Sequence, residues 1–240
     1  MKKNHKIFLN FSKMLKEGQI PKADMHLHTN FTDGLNTVEQ MHTSAEKKKL
    51  KIILFTEHSR KESGKWFFSF AKKIRKLNSK YCRALIGTEV KILNYKGDLD
   101  LSSKIYNQCD FIMASVHRFP GEKNLNTTIK RYSKNKAIKI EYKLMCAALR
   151  NRKTDILGHA FGMSLKRFEA MPSKKLFIDI IKKCKQHNKI FEINSYYHSF
   201  NIKWLLSQCL KYNVKISLGS NAHQASEIGK IFKILSNVKN

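Results

Sequence analysis

The stretch Ile52-Ile53-Leu54-Phe55-Thr56-Glu57-His58 decides the architecture: an apolar run of strand length that ends in an acid and an imidazole. Four to eight residues rich in β-branched side chains suit a strand buried on both faces, as in a parallel sheet. The same plan occurs once before it, in Ala23-Asp24-Met25-His26-Leu27-His28. It then recurs in Ala84-Leu85-Ile86-Gly87-Thr88-Glu89, Phe111-Ile112-Met113-Ala114-Ser115-Val116-His117 and Ile156-Leu157-Gly158-His159. Ile190-Phe191-Glu192-Ile193-Asn194 and Ile216-Ser217-Leu218-Gly219-Ser220-Asn221-Ala222-His223 complete a set of seven.

Amphipathic stretches of helical length separate these runs. Thr37 and Gln40 stand three apart, a capping box that opens a helix ending near Leu50. Trp66, Phe67, Phe70, Ile74 and Leu77 keep the three-and-four spacing of a second helix. Pro172-Ser173 starts another through Leu176, Ile180, Ile181 and Cys184. The stripe at Trp66 and Phe67 reads as core packing rather than a base-stacking platform. Strand–helix alternation predicts a parallel sheet with right-handed crossovers. Seven units predict a single-domain α/β protein closed into a seven-stranded barrel, with its site at the C-terminal edge of the strands. Residues 1–21 form a lead-in and residues 22–240 the barrel domain.

The lead-in opens like a signal peptide, with Met1, Lys2 and Lys3 before Ile7, Phe8 and Leu9, but Asn10, Ser12, Lys13 and Lys16 interrupt it. It reads as a short amphipathic segment, and no apolar run approaches the ~18 residues of a membrane span. The expectation is a soluble, cytoplasmic protein without a membrane partner. Hydrophobic residues make up 42% of the 240, ample for a core, which excludes a wholly disordered chain. The formal net charge is +29, from 47 basic and 18 acidic residues. Of the basic residues 39 are Lys and 8 are Arg, spread along the chain in runs such as Lys47-Lys48-Lys49 and Lys182-Lys183. Such runs form solvated helix faces. The charge favours an anionic ligand without selecting nucleic acid. Cys82, Cys109, Cys146, Cys184 and Cys209 lie far apart and are odd in number, so buried free thiols are expected.

His26-x-His28 places two imidazoles on one face of a strand. After it come Asp33-Gly34 and then His58, Glu89, His117, His159 and His223, each just beyond a different apolar run. Six of the ten histidines occupy that one kind of position. Imidazole with carboxylate is the ligand set of Zn, Mn or Fe. A polynuclear metal site is the reading that accounts for the pattern.

The set Asp24-Met25-His26-Leu27-His28-Thr29, Thr56-Glu57-His58, Gly87-Thr88-Glu89-Val90, Ala114-Ser115-Val116-His117, Gly158-His159, Glu192-Ile193-Asn194 and Gly219-Ser220-Asn221-Ala222-His223 resembles the PHP (polymerase and histidinol phosphatase) family. That resemblance implies a distorted (β/α)7 barrel holding up to three divalent ions. It implies one ion on His26, His28 and Glu89 with Asn221 in place of a fourth ligand. A second would lie on Asp33, His58 and His223, and a third on Glu89, His117 and His159, with Glu89 bridging. Two residues depart from the family pattern. Glu57 stands where Asp is usual, at a position that supports the site without ligating. Asn221 also stands where Asp is usual; its amide is neutral and a poor base, although its carbonyl oxygen can coordinate.

The activity implied is hydrolysis of a small, histidinol-phosphate-like monoester by a metal-activated hydroxide. Two alternatives stay open: a nuclease or polymerase-associated proofreading module, and a metal-binding protein weakened catalytically by Asn221. Arg118 is either a planar clamp for a phosphate or an Arg salt-bridged at the surface. His198, with Tyr196 and Tyr197, either reaches the substrate or packs. His5, His42 and His187 are expected at the solvent-exposed surface.

Overall fold

The structure is a computed structural model that describes residues 5–77, 79–122 and 131–237. Met1, Lys2 and Lys3 lie outside the described residues. The seven apolar runs form seven strands: β1 Ala23–Leu27, β2 Ile52–Ser59, β3 Arg83–Lys91, β4 Phe111–Ser115, β5 Ile156–Leu157, β6 Ile190–Asn194 and β7 Lys215–Gly219. They pair in parallel and in chain order, β1 to β7, as the alternation of strand and helix predicts. Closure comes from beyond β7, where Leu27 bridges Ala222. His28 N donates to Ala222 O at 2.9 Å, and Ala222 N donates to His26 O at 3.2 Å. The sheet is therefore a nearly closed barrel whose last seam is sewn at the site itself.

Helices α1 Lys6–Lys16, α2 Val38–Lys47, α3 Gly64–Lys76, α4 Ser103–Tyr106, α5 Lys134–Arg150, α6 Gly162–Arg167, α7 Lys174–Gln186, α8 Ile202–Lys211 and α9 Lys230–Ser236 accompany the strands among the described residues. The Thr37–Gln40 capping box forms as the spacing predicts. Ser173 caps α7 by accepting from Leu176 N. Phe67, Phe70 and Ile74 of α3 are buried against the barrel, and Trp66 packs beside them.

The barrel interior is layered. Met25, Leu54, Leu85, Met113, Ile156 and Ile190 fill its N-terminal half together with Phe8 and Phe11 of α1. Phe8 is fully buried and stands edge-on to Phe111 at 5.0 Å. The amphipathic segment near the N-terminus is thus a helix whose apolar face plugs the barrel floor. His42 corrects the expectation of exposure. It shares the inward face of α2 with Val38, Met41 and Ala45, is 5% exposed, and lies with Nε2 2.9 Å from Cys82 O. His5 and His187 are half-buried, and His5 Nε2 lies 3.2 Å from Asp155 Oδ1. Cys82, Cys109, Cys184 and Cys209 are buried free thiols; Cys146 is partly buried.

Candidate metal centre

Glu89, near the end of β3, is the hub of the C-terminal half of the barrel. Its Oε1 lies 2.6 Å from His159 Nε2 and 3.1 Å from His117 Nε2. Its Oε2 lies 3.2 Å from His58 Nδ1, 3.3 Å from His26 Nε2 and 3.6 Å from His28 Nε2. One carboxylate thus meets five imidazoles delivered by β1, β2, β4 and β5. Asp33, on the loop after β1, makes a second focus. Its Oδ2 is 3.4 Å from both His58 Nε2 and His223 Nε2, and its Oδ1 is 3.8 Å from His28 Nδ1. Ligand atoms of His28, Asp33, His58 and His223 lie within 4.8 Å of one another, as do those of His26, His28 and Glu89, and those of His58, Glu89 and His117.

Electrostatics separates these groups. Burial would raise the Glu89 carboxyl, but the imidazoles of His117, His26, His159 and His58 outweigh it and hold the group well below the usual carboxylate range. Burial, then the neighbouring His58 and His26, push His28 well below the ordinary imidazole value and keep it neutral. Burial would also lower His26, but the charges of Glu192 and Glu89 raise it to about 10. Burial works against Asp33 ionisation, yet hydrogen bonds from His223 and His58 keep it ionised far below its ordinary value.

The donor set fits divalent cations. His28 Nδ1, His159 Nδ1 and Glu89 Oε2 are buried without a hydrogen-bond partner. Unpaired buried polar atoms are costly, on the order of 1–3 kcal/mol each. His26 Nε2 and His28 Nε2 approach to 3.0 Å. Nitrogen and carboxylate lone pairs that face one another in a dry site need a positive charge among them, and imidazole with carboxylate suits Zn, Mn or Fe.

Supporting residues fix this cage. Glu192 of β6 was not among the site residues read from the sequence, although it stands at the middle of the sixth of the seven runs. Its Oε1 lies 2.7 Å from His26 Nδ1, and its Oε2 accepts from His159 N at 2.6 Å. Gly219 makes room for it, since a Cβ there would stand 2.2 Å from Glu192 Oε1 and 2.7 Å from His26 Cβ. Glu57 accepts from Thr29 N at 2.6 Å and from Thr32 Oγ1, and so ties down the loop that carries Asp33. Burial raises that carboxyl to about 7. Asp24 accepts from Ser220 N at 2.8 Å and Gly229 N at 2.7 Å, while Lys48 Nζ donates to Ser226 O and Ile228 O at 2.7 Å. Together they hold the loop bearing Asn221 and His223.

A cavity of about 820 Å³ opens over the cage. Asp33, His58, Glu89, His117, His159, Asn221 and His223 line it, whereas His26 and His28 lie beneath, fully buried. Asn221 adopts a left-handed backbone (φ 55°), a region that Asn tolerates, and its carbonyl lies 2.8 Å from His223 Nδ1. Arg118 lines the cavity beside His117, with Arg60, Lys91 and Arg167 on neighbouring walls. Of these four cations only Arg118 is marked by sequence, through its place next to a strand-end His. His198 packs rather than reaching the cavity: it is fully buried, its Nδ1 accepts from Asn194 N, and its Nε2 lies 3.0 Å from Ala160 O. Burial lowers its pKa to about 4.

A nearly closed seven-stranded parallel barrel with a carboxylate-bridged histidine cage at its C-terminal mouth defines a class of metal-site proteins. Residues 24–196 match the PHP domain, and the chain belongs to the PHP family. A Clostridium acetobutylicum protein named Probable phosphatase is 31% identical over 238 residues, covering 90% of this chain and 85% of that one. A Caldicellulosiruptor saccharolyticus protein of the same name is 29% identical over 227 residues, covering 87% and 83%. Histidinol phosphate phosphatase from Lactococcus lactis, solved with zinc, L-histidinol and phosphate, shares the fold with a TM-score of 0.64. It is 19% identical, with 89% of this chain and 93% of that chain covered. No helix among the described residues is long and apolar enough to cross a membrane.

Proposed function

We propose that the protein is a metal-dependent phosphatase that hydrolyses a small phosphate monoester. The observation that carries this reading is the convergence of five imidazoles on Glu89, with buried lone pairs that lack hydrogen bonds. The names of the curated relatives support it.

The assigned ligands are His26, His28 and Glu89, with Asn221 contributing its amide oxygen; Asp33, His58 and His223; and Glu89 with His117 and His159. The 3.8 Å approach of His28 to Asp33 supports a close junction between the first two groups. Divalent ions held there would supply a water-derived nucleophile at neutral pH and neutralise charge on the phosphoryl oxygens. The protein's own groups do the rest. Glu192 accepts the Nδ1 proton of His26 and so turns Nε2 toward the cage, where a divalent ion would take the place of the Nε2 proton. Arg118 offers a planar two-pronged donor to phosphoryl oxygens. The apolar barrel floor excludes water from below.

The test is phosphate release from a panel of monoesters by protein loaded with Mn or Zn, beside cleavage of single-stranded DNA at several salt concentrations. Monoester turnover that a strong chelator abolishes and added metal restores is expected. Turnover surviving exhaustive metal removal would overturn the reading, and DNA cleavage with no monoester turnover would favour a nuclease.

A further inference from the structure

Glu141, near the middle of α5, carries a carboxyl group that is 1% exposed and lies outside the metal cage. Burying such a group is costly unless hydrogen bonds compensate. Its hydrogen bonds run to the first turn of α6. Oε1 accepts from Met163 N at 3.0 Å, and Oε2 accepts from Ser164 N at 2.7 Å and from Ser164 Oγ at 2.5 Å.

That turn has no cap of its own. Phe161, at its N-cap position, makes no capping hydrogen bond and has a left-handed backbone, φ 62°. A bulky residue at positive φ is strained and persists only where its surroundings hold it. The ring of Phe161 is fully buried and stands edge-on to Phe177 at 4.8 Å. Gly162 N donates to His159 O at 2.7 Å, and Leu165 N to Phe161 O at 2.9 Å. Glu141 takes the two N–H groups between them, so the whole first turn is satisfied.

The turn leads straight back to the cage. A Cβ on Gly162 would stand 2.6 Å from His159 Nδ1 and 3.1 Å from the Tyr197 ring. The His159 ring lies 4.3 Å from that of Tyr197, with its Nε2 2.6 Å from Glu89 Oε1. Glu192 fixes His159 from the strand side through its backbone N–H. From the helix side the restraint is the α6 turn, whose Met163 and Arg167 also line the cavity. We infer that Glu141 is a positioning residue: by pinning the first turn of α6 to α5, it holds Gly162 against the His159 imidazole and so sets that imidazole beside Glu89. The inference rests on the phosphatase reading of the metal site.

Glu141→Gln tests it, because it keeps the side-chain size but replaces one acceptor oxygen with an amide donor. One N–H of the turn then loses its partner. Tyr142→Phe is the control. It removes the adjacent hydrogen bond of α5, from Tyr142 Oη to Asp179 Oδ2 at 2.6 Å, which runs to α7 instead of α6. In NMR spectra of the zinc-loaded protein, the His159 ring C–H resonance is assigned with His159→Gln. In Glu141→Gln it should move toward the position of an imidazole with no ring stacked on it. Metal content after dialysis against graded chelator should show the weakest ion lost at roughly 10–100-fold less chelator, the range for groups that orient a ligand imidazole. Monoester turnover should fall at limiting zinc and return toward the parent value in excess zinc. Tyr142→Phe should match the parent in all three. If Glu141→Gln does not fold, Ser164→Ala, which removes one of the three bonds, should move the His159 resonance the same way by less; no movement there would overturn the inference.

An unmoved His159 resonance with parental metal retention in folded Glu141→Gln would also overturn it, as would equal changes in Tyr142→Phe. A displaced resonance and weaker metal retention, with no monoester hydrolysed by the parent, would instead overturn the phosphatase reading and leave Glu141 in its positioning role.

Discussion

Glu192 touches two ligands at once, the His26 ring and the His159 backbone, from full burial. Groups that orient a ligand imidazole commonly account for ~10–100-fold in metal affinity. Glu192→Gln should therefore weaken metal retention by roughly that factor, read by competition against a chelating indicator, while the fold stays intact by circular dichroism. Asn221 poses the reverse question. An Asp there would add a negative charge to the shell, so Asn221→Asp should raise metal content after dialysis and turnover at limiting metal. Asn221→Ala should lower both; an Ala variant that matches the parent in both would mean that Asn221 is a bystander. The sequence discloses ligand candidates because an imidazole at the end of an apolar run has few other reasons to be there. It hides partners such as Glu192–His26, whose contact depends on closing β6 and β7 against β1. His42 shows the opposite error: its spacing from Val38 and Ala45 marks the buried face of α2, but a titratable side chain there invites a surface reading.

Among the elements, strands are the most legible, because a buried parallel strand must be a short apolar run whatever its neighbours. Differences arise where a local signal competes with the barrel. The last run continues in sequence to His223, but β7 ends at Gly219, because Asn221 turns the chain left-handed and Ala222 pairs with β1 instead. The capping box of α2 is legible because both of its hydrogen bonds lie within four residues. The role of α1 is not legible at all. Its amphipathic pattern predicts a buried face, but the surface it covers consists of side chains from different strands, assembled only by closure. That dependence makes it testable. Phe8→Ala removes a fully buried ring from the barrel floor and should cost about 3–5 kcal/mol, seen as a lower urea midpoint with an unchanged slope. A loss below ~1 kcal/mol would mean that α1 merely rests on the barrel.

For the whole molecule, acid stability is governed by buried groups that oppose one another. Burial lowers His198 to about 4, whereas burial raises Glu141, which accepts from Met163 N and Ser164 N, to about 7. In the unfolded chain a His titrates near 6.5 and a Glu near 4.3. Between pH 6.5 and 4 the unfolded state therefore binds a proton that folded His198 refuses. Its contribution to stability is complete above pH 6.5 and is lost as the pH falls toward 4. Glu141 has the opposite sign: folded Glu141 keeps a proton that the unfolded chain releases, so its contribution is lost as the pH rises from about 4.3 through 7. The parent profile mixes the two, and only a difference between proteins isolates either one. His198→Gln retains an amide able to bond at that position but cannot take up a proton. It should lower stability at pH 7.5, because the imidazole that receives Asn194 N is gone. Below pH 6.5 the gap should narrow, by up to about 1.4 kcal/mol per pH unit for the single proton involved. Urea denaturation of both proteins at half-unit steps from pH 7.5 to 4.5, with a chelator present so that metal release does not contribute, measures that gap. A gap that stays constant with pH would mean that folded His198 takes up its proton as readily as the unfolded chain does.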